Sequence, residues 1–114
     1  MGDEVLRTSV SLADWRRLEE QLEAIVSQSG ASFDPATVAN AREFLALARE
    51  RSSFPSIAKG YWSTICFYWP GLEFEVSKSH IEIYRFFDKS TDIQHHDHRP
   101  GDAFSAEVIA ALPG

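Results

Sequence analysis

The spacing of hydrophobic positions along this chain changes character once, near residue 57. Before that point it follows a helical period. Leu12, Trp15, Leu18, Leu22, Ile25 and Val26 recur on one side of a segment from Ser11 to Gln28, with Arg16, Arg17, Glu19, Glu20 and Glu23 on the other. Ser11 and Asp14 resemble a capping box at its start, and Gly30 stands where a helix would close. Asp34-Pro35 then announces a second helix, an acceptor followed by the residue best tolerated at the first helical position. Val38, Ala41, Leu45 and Ala48 form its apolar stripe, widened by Phe44 and Leu47, and Ser52-Ser53-Phe54-Pro55 ends it. A short link between two amphipathic helices predicts an antiparallel helical hairpin over residues 1–52.

From Ile57 the period is two. Ile65, Phe67 and Trp69 alternate with Thr64, Cys66 and Tyr68 in a strand read from Trp62 to Trp69. Pro70-Gly71 is a turn dipeptide, and Leu72-Glu73-Phe74-Glu75-Val76 alternates apolar with acidic residues throughout. A third strand is read from His80 to Asp88, and an edge strand around Thr91 to His95. Closing the first hairpin on Pro70-Gly71 sets Trp69 opposite Leu72, Phe67 opposite Phe74 and Ile65 opposite Val76. A slip of one residue would drive Glu73 and Glu75 into the core, so the register is strongly specified. The next hairpin sets Ile81 opposite Val76 and Ile83 opposite Phe74. After Pro100-Gly101, Asp102 is expected to cap a closing helix over residues 102–112 that carries Phe104, Val108, Ala111 and Leu112. The expected fold is α+β: a single domain over residues 1–114, with the helical hairpin packed on a three- or four-stranded antiparallel meander over residues 56–98 and a short C-terminal helix.

Composition narrows the function classes. The chain has 114 residues, 44% of them hydrophobic and 12% aromatic, which suits one folded core and not a disordered chain. Seventeen acids against eleven Lys and Arg leave a net charge of −6, which argues against direct nucleic-acid binding because phosphate contacts need a basic surface. No apolar run reaches the roughly 18 residues of a membrane span, and no apolar stretch follows the acidic start Met1-Gly2-Asp3-Glu4, so neither membrane insertion nor a secretory signal is expected. Cys66 is alone, which favours a reducing cytoplasm. Arg16, Arg17, Arg42 and Arg49 are interleaved with Glu at helical spacing and read as solvated faces with local ion pairs.

The same register that defines the core places Tyr68, Glu73, Glu75, Glu82, Tyr84 and Phe86 together on the outer face of the sheet. Aromatics are enriched in interface cores, and placing Glu75 opposite Glu82 carries a cost that a binding function would explain. These six residues are the candidate partner-binding set. The densest polar cluster is Gln94-His95-His96-Asp97-His98-Arg99. His96 and His98 share a side in an extended segment, so a metal set of His96, His98 and Asp92 is the alternative, with His80 as a further possible contributor. Because the segment offers at most two same-side ligands locally, stability is not expected to depend on metal. Nucleophile elbows, phosphate-binding glycine loops and nucleotide, flavin or haem motifs are absent from the sequence, so neither catalytic residues nor a cofactor are expected.

Pro55, Ile57, Gly60, Ile65, Phe67, Trp69, Leu72, Phe74 and Val76 together resemble a strand pattern of small bacterial and mobile-element α+β proteins of antitoxin-like or phage-accessory type. The resemblance implies no catalytic residues. Together with size and acidity it implies a cytoplasmic, non-enzymatic protein that binds and inhibits a partner protein, such as one with a basic nucleic-acid-binding surface. The competing readings are the metal-binding protein and a small homodimeric structural subunit.

Overall fold

Apolar burial on one side of a sheet organises the molecule. The computed structural model describes residues 2–28 and 33–114, with side chains described from Leu12 onward outside the link. Its elements are α1 (Gly2–Gln28), α2 (Pro35–Arg51), β1 (Ser56–Lys59), β2 (Ile65–Trp69), β3 (Leu72–Val76), β4 (His80–Phe86), β5 (Thr91–Asp97) and α3 (Ala106–Ala111). The five strands form one antiparallel meander in chain order.

α1 starts earlier than its capping signal suggests: the helix passes through Ser11 without interruption. The closure expected at Gly30 lies outside the described residues. At α2 the local chemistry behaves as read, because Asp34 accepts a hydrogen bond from the Ala36 amide at 2.8 Å and Pro35 follows. The two helices run antiparallel. Their arginines pair mainly across the hairpin, Arg42 with Glu23 at 2.6 Å and Arg49 with Glu19 at 2.7 Å, while Arg17 and Asp14 form a local pair at 3.6 Å.

The β2–β3 and β3–β4 registers are those derived from the turns, with Phe67 opposite Phe74 and Phe74 opposite Ile83. Gly71 supplies a φ of +71° in the Pro70-Gly71 turn, which a residue with a Cβ rarely adopts. The sheet gains a strand, β1, ahead of the one read from Trp62 to Trp69, and β2 starts only at Ile65. Trp62 sits in a turn, where the Gly60 amide donates to the Thr64 carbonyl at 2.7 Å and Ser63 takes a φ of 58°. Apolar residues on both sides of that turn hide it from a reading by period alone. β5 also runs two residues beyond His95.

Side chains on the inner face, Ile65, Phe67, Trp69, Phe74, Val76, Ile81 and Ile83, are buried with Trp15, Leu18 and Leu22 of α1 and Phe44 and Leu45 of α2. Phe44 is the hub, with its ring centroid 4.8 Å from that of Phe67 and 5.0 Å from that of Phe74. The chain end closes this layer through Val108 and Leu112. Ser105, not Asp102, caps α3, by accepting from the Val108 amide at 3.2 Å; Asp102 instead accepts from the Arg99 amide and holds the preceding turn. Buried Asn40 fastens one rim, since its amide nitrogen lies 2.9 Å from the Ser77 carbonyl, 3.2 Å from that of Lys78 and 3.3 Å from that of His98. Among the described residues no helix is long and apolar enough to cross a membrane.

Candidate functional site

Strand alternation puts two rows of side chains across the outer face. One row runs Ala58, Cys66, Glu75, Glu82 and His95; the next runs Ser56, Tyr68, Glu73, Tyr84 and Ile93. His80 and Asp97 lie opposite each other beyond the first row, and Phe86 and Thr91 lie beyond the second. The six residues expected to share a surface therefore do so, joined by His80, His95 and Asp97.

These groups are organised around carboxylates. Glu75 accepts from the Thr64 hydroxyl at 2.8 Å and from the Tyr84 hydroxyl at 3.2 Å. Tyr84 also lies 3.4 Å from Glu82, so one phenolic proton is shared between two carboxylates that the register sets face to face. His80 Nε2 lies 3.3 Å from Glu82 Oε1, and His95 Nε2 lies 3.3 Å from Asp97 Oδ1. By register, Lys59 and Arg85 fall on the inner-facing positions, while Lys78 and Lys89 are in turns. Among the described strand residues, the outer face thus carries Glu73, Glu75, Glu82 and Asp97 with no Lys or Arg.

Burial sharpens this charge imbalance. Cys66 is only 2% exposed, and desolvation, reinforced by Glu73 and Glu75 against a lowering contact with Tyr68, pushes its thiol up to about 12. It is a packed thiol and not a nucleophile at neutral pH. Burial raises Tyr68 and Tyr84 above the usual phenol range, and the nearby carboxylates raise them further. Glu73 is raised by burial and by the charge of Glu75. The Gly60 backbone presses on this region: a Cβ there would stand 2.0 Å from Thr64 Oγ1 and 2.9 Å from Cys66 Sγ. The same turn presents Tyr61 and Trp62, 84% and 77% exposed, as an edge-to-face pair with centroids 4.9 Å apart. That pair is absent from the candidate set because alternation alone places Trp62 in a strand; Gly60 amid apolar residues is the sign of a turn that the sequence offers.

The alternative metal set is not gathered by the fold. Asp92 and His96 are four positions apart on one strand, about 13 Å at the usual rise. Asp92 lies 3.7 Å from Arg85, and His96 Nε2 lies 3.4 Å from Gln94 Oε1. His98 leaves the strand and is buried, its ring stacked on Phe104 at 4.3 Å and its Nε2 unpartnered. Among the described residues the ligand atoms that converge are those of His80, Glu82 and His95, all within 4.8 Å of one another.

A groove of about 1110 Å³ also lies between α1 and α2, lined by Leu22, Leu45 and the charged residues of both helices, including the paired Glu19, Glu23, Arg42 and Arg49. Two ion pairs, Arg42–Glu23 and Arg49–Glu19, span this groove, whereas the strand residues of the sheet's outer face include no Lys or Arg. The chain matches no protein-family model, no curated protein and no solved structure.

Proposed function

We propose that this protein is a non-enzymatic binding module whose outer sheet face docks onto a Lys- and Arg-rich surface of a partner protein. One observation carries the reading: a face with four carboxylates, no Lys or Arg, and partly exposed aromatics on the same rows. Glu73, Glu75 and Glu82 would steer the partner and set its orientation. Tyr68, Tyr84 and Phe86 would supply the apolar area of a hot spot, extended by Tyr61 and Trp62. A basic nucleic-acid-binding protein held in check by an acidic inhibitor fits this chemistry, in the manner of antitoxins, immunity proteins and phage inhibitors. A reducing cytoplasm suits the buried lone thiol.

The test uses a partner captured by tag-free protein immobilised through its amines, followed by kinetics with the purified partner. Glu73→Lys should slow association several-fold, with an effect that shrinks as salt rises. Glu73 is the better reversal site because Glu75 is tied to Thr64 and Tyr84 within the face. Unchanged association in Glu73→Lys, together with binding abolished by alanines at Arg99 and Asp102 in the loop after β5, would move the interface to that loop.

A further inference from the structure

We propose that His80, Glu82 and His95 form a binding site for a divalent transition-metal ion of the zinc class, on the β4–β5 hairpin at one end of the outer face. Two imidazoles and one carboxylate are the donor set that such ions take, with a fourth position left to water. Fold topology makes the cluster. His80 and Glu82 are two residues apart on β4 and so share a face, and the β4–β5 register puts His95 directly opposite Glu82.

The spacing is close to what coordination requires. In a tetrahedral zinc site with bonds of about 2.0–2.1 Å, neighbouring ligand atoms stand about 3.3–3.4 Å apart. His80 Nε2 and Glu82 Oε1 are already 3.3 Å apart, and all three ligand atoms lie within 4.8 Å of one another. The two imidazole rings lie with centroids 4.5 Å apart and planes 33° from parallel, so both rings are already beside the Glu82 carboxylate.

Supporting groups are in place. The second oxygen of Glu82 lies 3.4 Å from the Tyr84 hydroxyl, which fixes the carboxylate and leaves Oε1 towards His80. Asp97 Oδ1 lies 3.3 Å from His95 Nε2 and can orient the ring through that nitrogen, which assigns His95 Nδ1 to the metal. A cation also answers the electrostatics: Glu75 and Glu82 face each other with one phenolic proton between them and no Lys or Arg on the face. All three ligands are half-buried or exposed, so an ion reaches them from solvent.

The experiment titrates tag-free, chelator-treated protein with Zn²⁺ by calorimetry in a non-coordinating buffer, and records the histidine ring nitrogens by NMR. One ion per chain is expected, with ring signals of His80 and His95 shifting and that of His96 unmoved. His80→Ala, His95→Ala and Glu82→Gln should each weaken binding at least ten-fold, and Tyr84→Phe should weaken it less. His96→Ala should bind as the wild type does. Circular dichroism of every variant confirms that the fold is kept, and the NMR pattern of the wild type stands independently of any variant. Absence of binding at millimolar Zn²⁺, or an equal loss in His96→Ala and His95→Ala, overturns the assignment. Because the probe is the metal alone, this result is separate from the docking test with Glu73→Lys.

Discussion

The two faces of one sheet are made from the same strands, yet different forces hold them. On β3, Phe74 points inward and is fully buried among Phe44, Phe67 and Trp69, whereas its neighbours Glu73 and Glu75 point outward into a hydrogen-bonded, half-buried layer. The buried part of the inner face rests on apolar area and not on charge. The outer face is built from like charges in partial burial, which costs stability, and such costs persist most readily where a function uses them.

The largest expected contrast is at Phe74. Phe74→Ala should cost about 3–5 kcal/mol, as for other buried Phe truncations, measured by denaturant unfolding. A loss below about 1 kcal/mol would mean that the inner face is not the core. Asn40 tests where that core ends, since it is buried but polar and binds the chain just past the ends of β3 and β5. Asn40→Ala should cost about 1–3 kcal/mol by leaving the buried His98 carbonyl, and the partly buried carbonyls of Ser77 and Lys78, without that donor, and should raise hydrogen exchange around Ser77 to Ser79. A neutral result would leave the rim held by backbone pairing alone.

On the outer face the sign should reverse. Glu75→Gln removes the charge facing Glu82 while keeping contact with Thr64 and with Tyr84, whose hydroxyl accepts as well as donates. It should stabilise the fold by up to about 1 kcal/mol. Destabilisation of that size would instead make the carboxylate network part of what holds the sheet.

The smallest effect is at Glu73, and it is a pH effect. Burial and Glu75 raise its folded-state value above 4.5, so the native state holds this proton more tightly than the unfolded chain does. The stability it contributes is complete below 4.5 and is lost as pH rises through the elevated folded value. Glu73→Gln should therefore gain slightly on the wild type at neutral pH, and the gain should vanish as pH falls to about 4. A difference that grows on acidification would reverse the assigned environment.

Much of this was legible in residues with strict local consequences. Pro70-Gly71 closes a two-residue turn, and the alternation of β3 admits no other register, so the inner and outer sets followed directly. Asp34-Pro35 marked the start of α2 for equally local reasons. Other signals misled because a competing pattern overrode them. Ser11 and Asp14 resemble a cap, but a favourable cap sequence does not stop a helix that neighbouring residues can continue. The β1–β2 turn was hidden because Tyr61 and Trp62 are apolar by type although solvated in place. The His80–Glu82–His95 cluster needed a cross-strand register: His96 and His98 look paired in sequence, while the partner of His95 is fixed only once Phe86 is known to face Thr91.

The chain-order meander has a kinetic consequence. Each strand meets its partner after a single turn, so little loop-closure entropy opposes pairing, and hairpins of this kind form in about 1–10 μs. Contacts remote in sequence include those by which the helices dock, α1 on β1 and α2 on β2 and β3, the latter through Phe44 against Phe67 and Phe74. Strand zipping can thus precede helix docking, leaving Phe67 and Phe74 transiently uncovered. In that order of events an uncovered inner face would invite misassociation, and the repulsion among carboxylates on the opposite face would act against it.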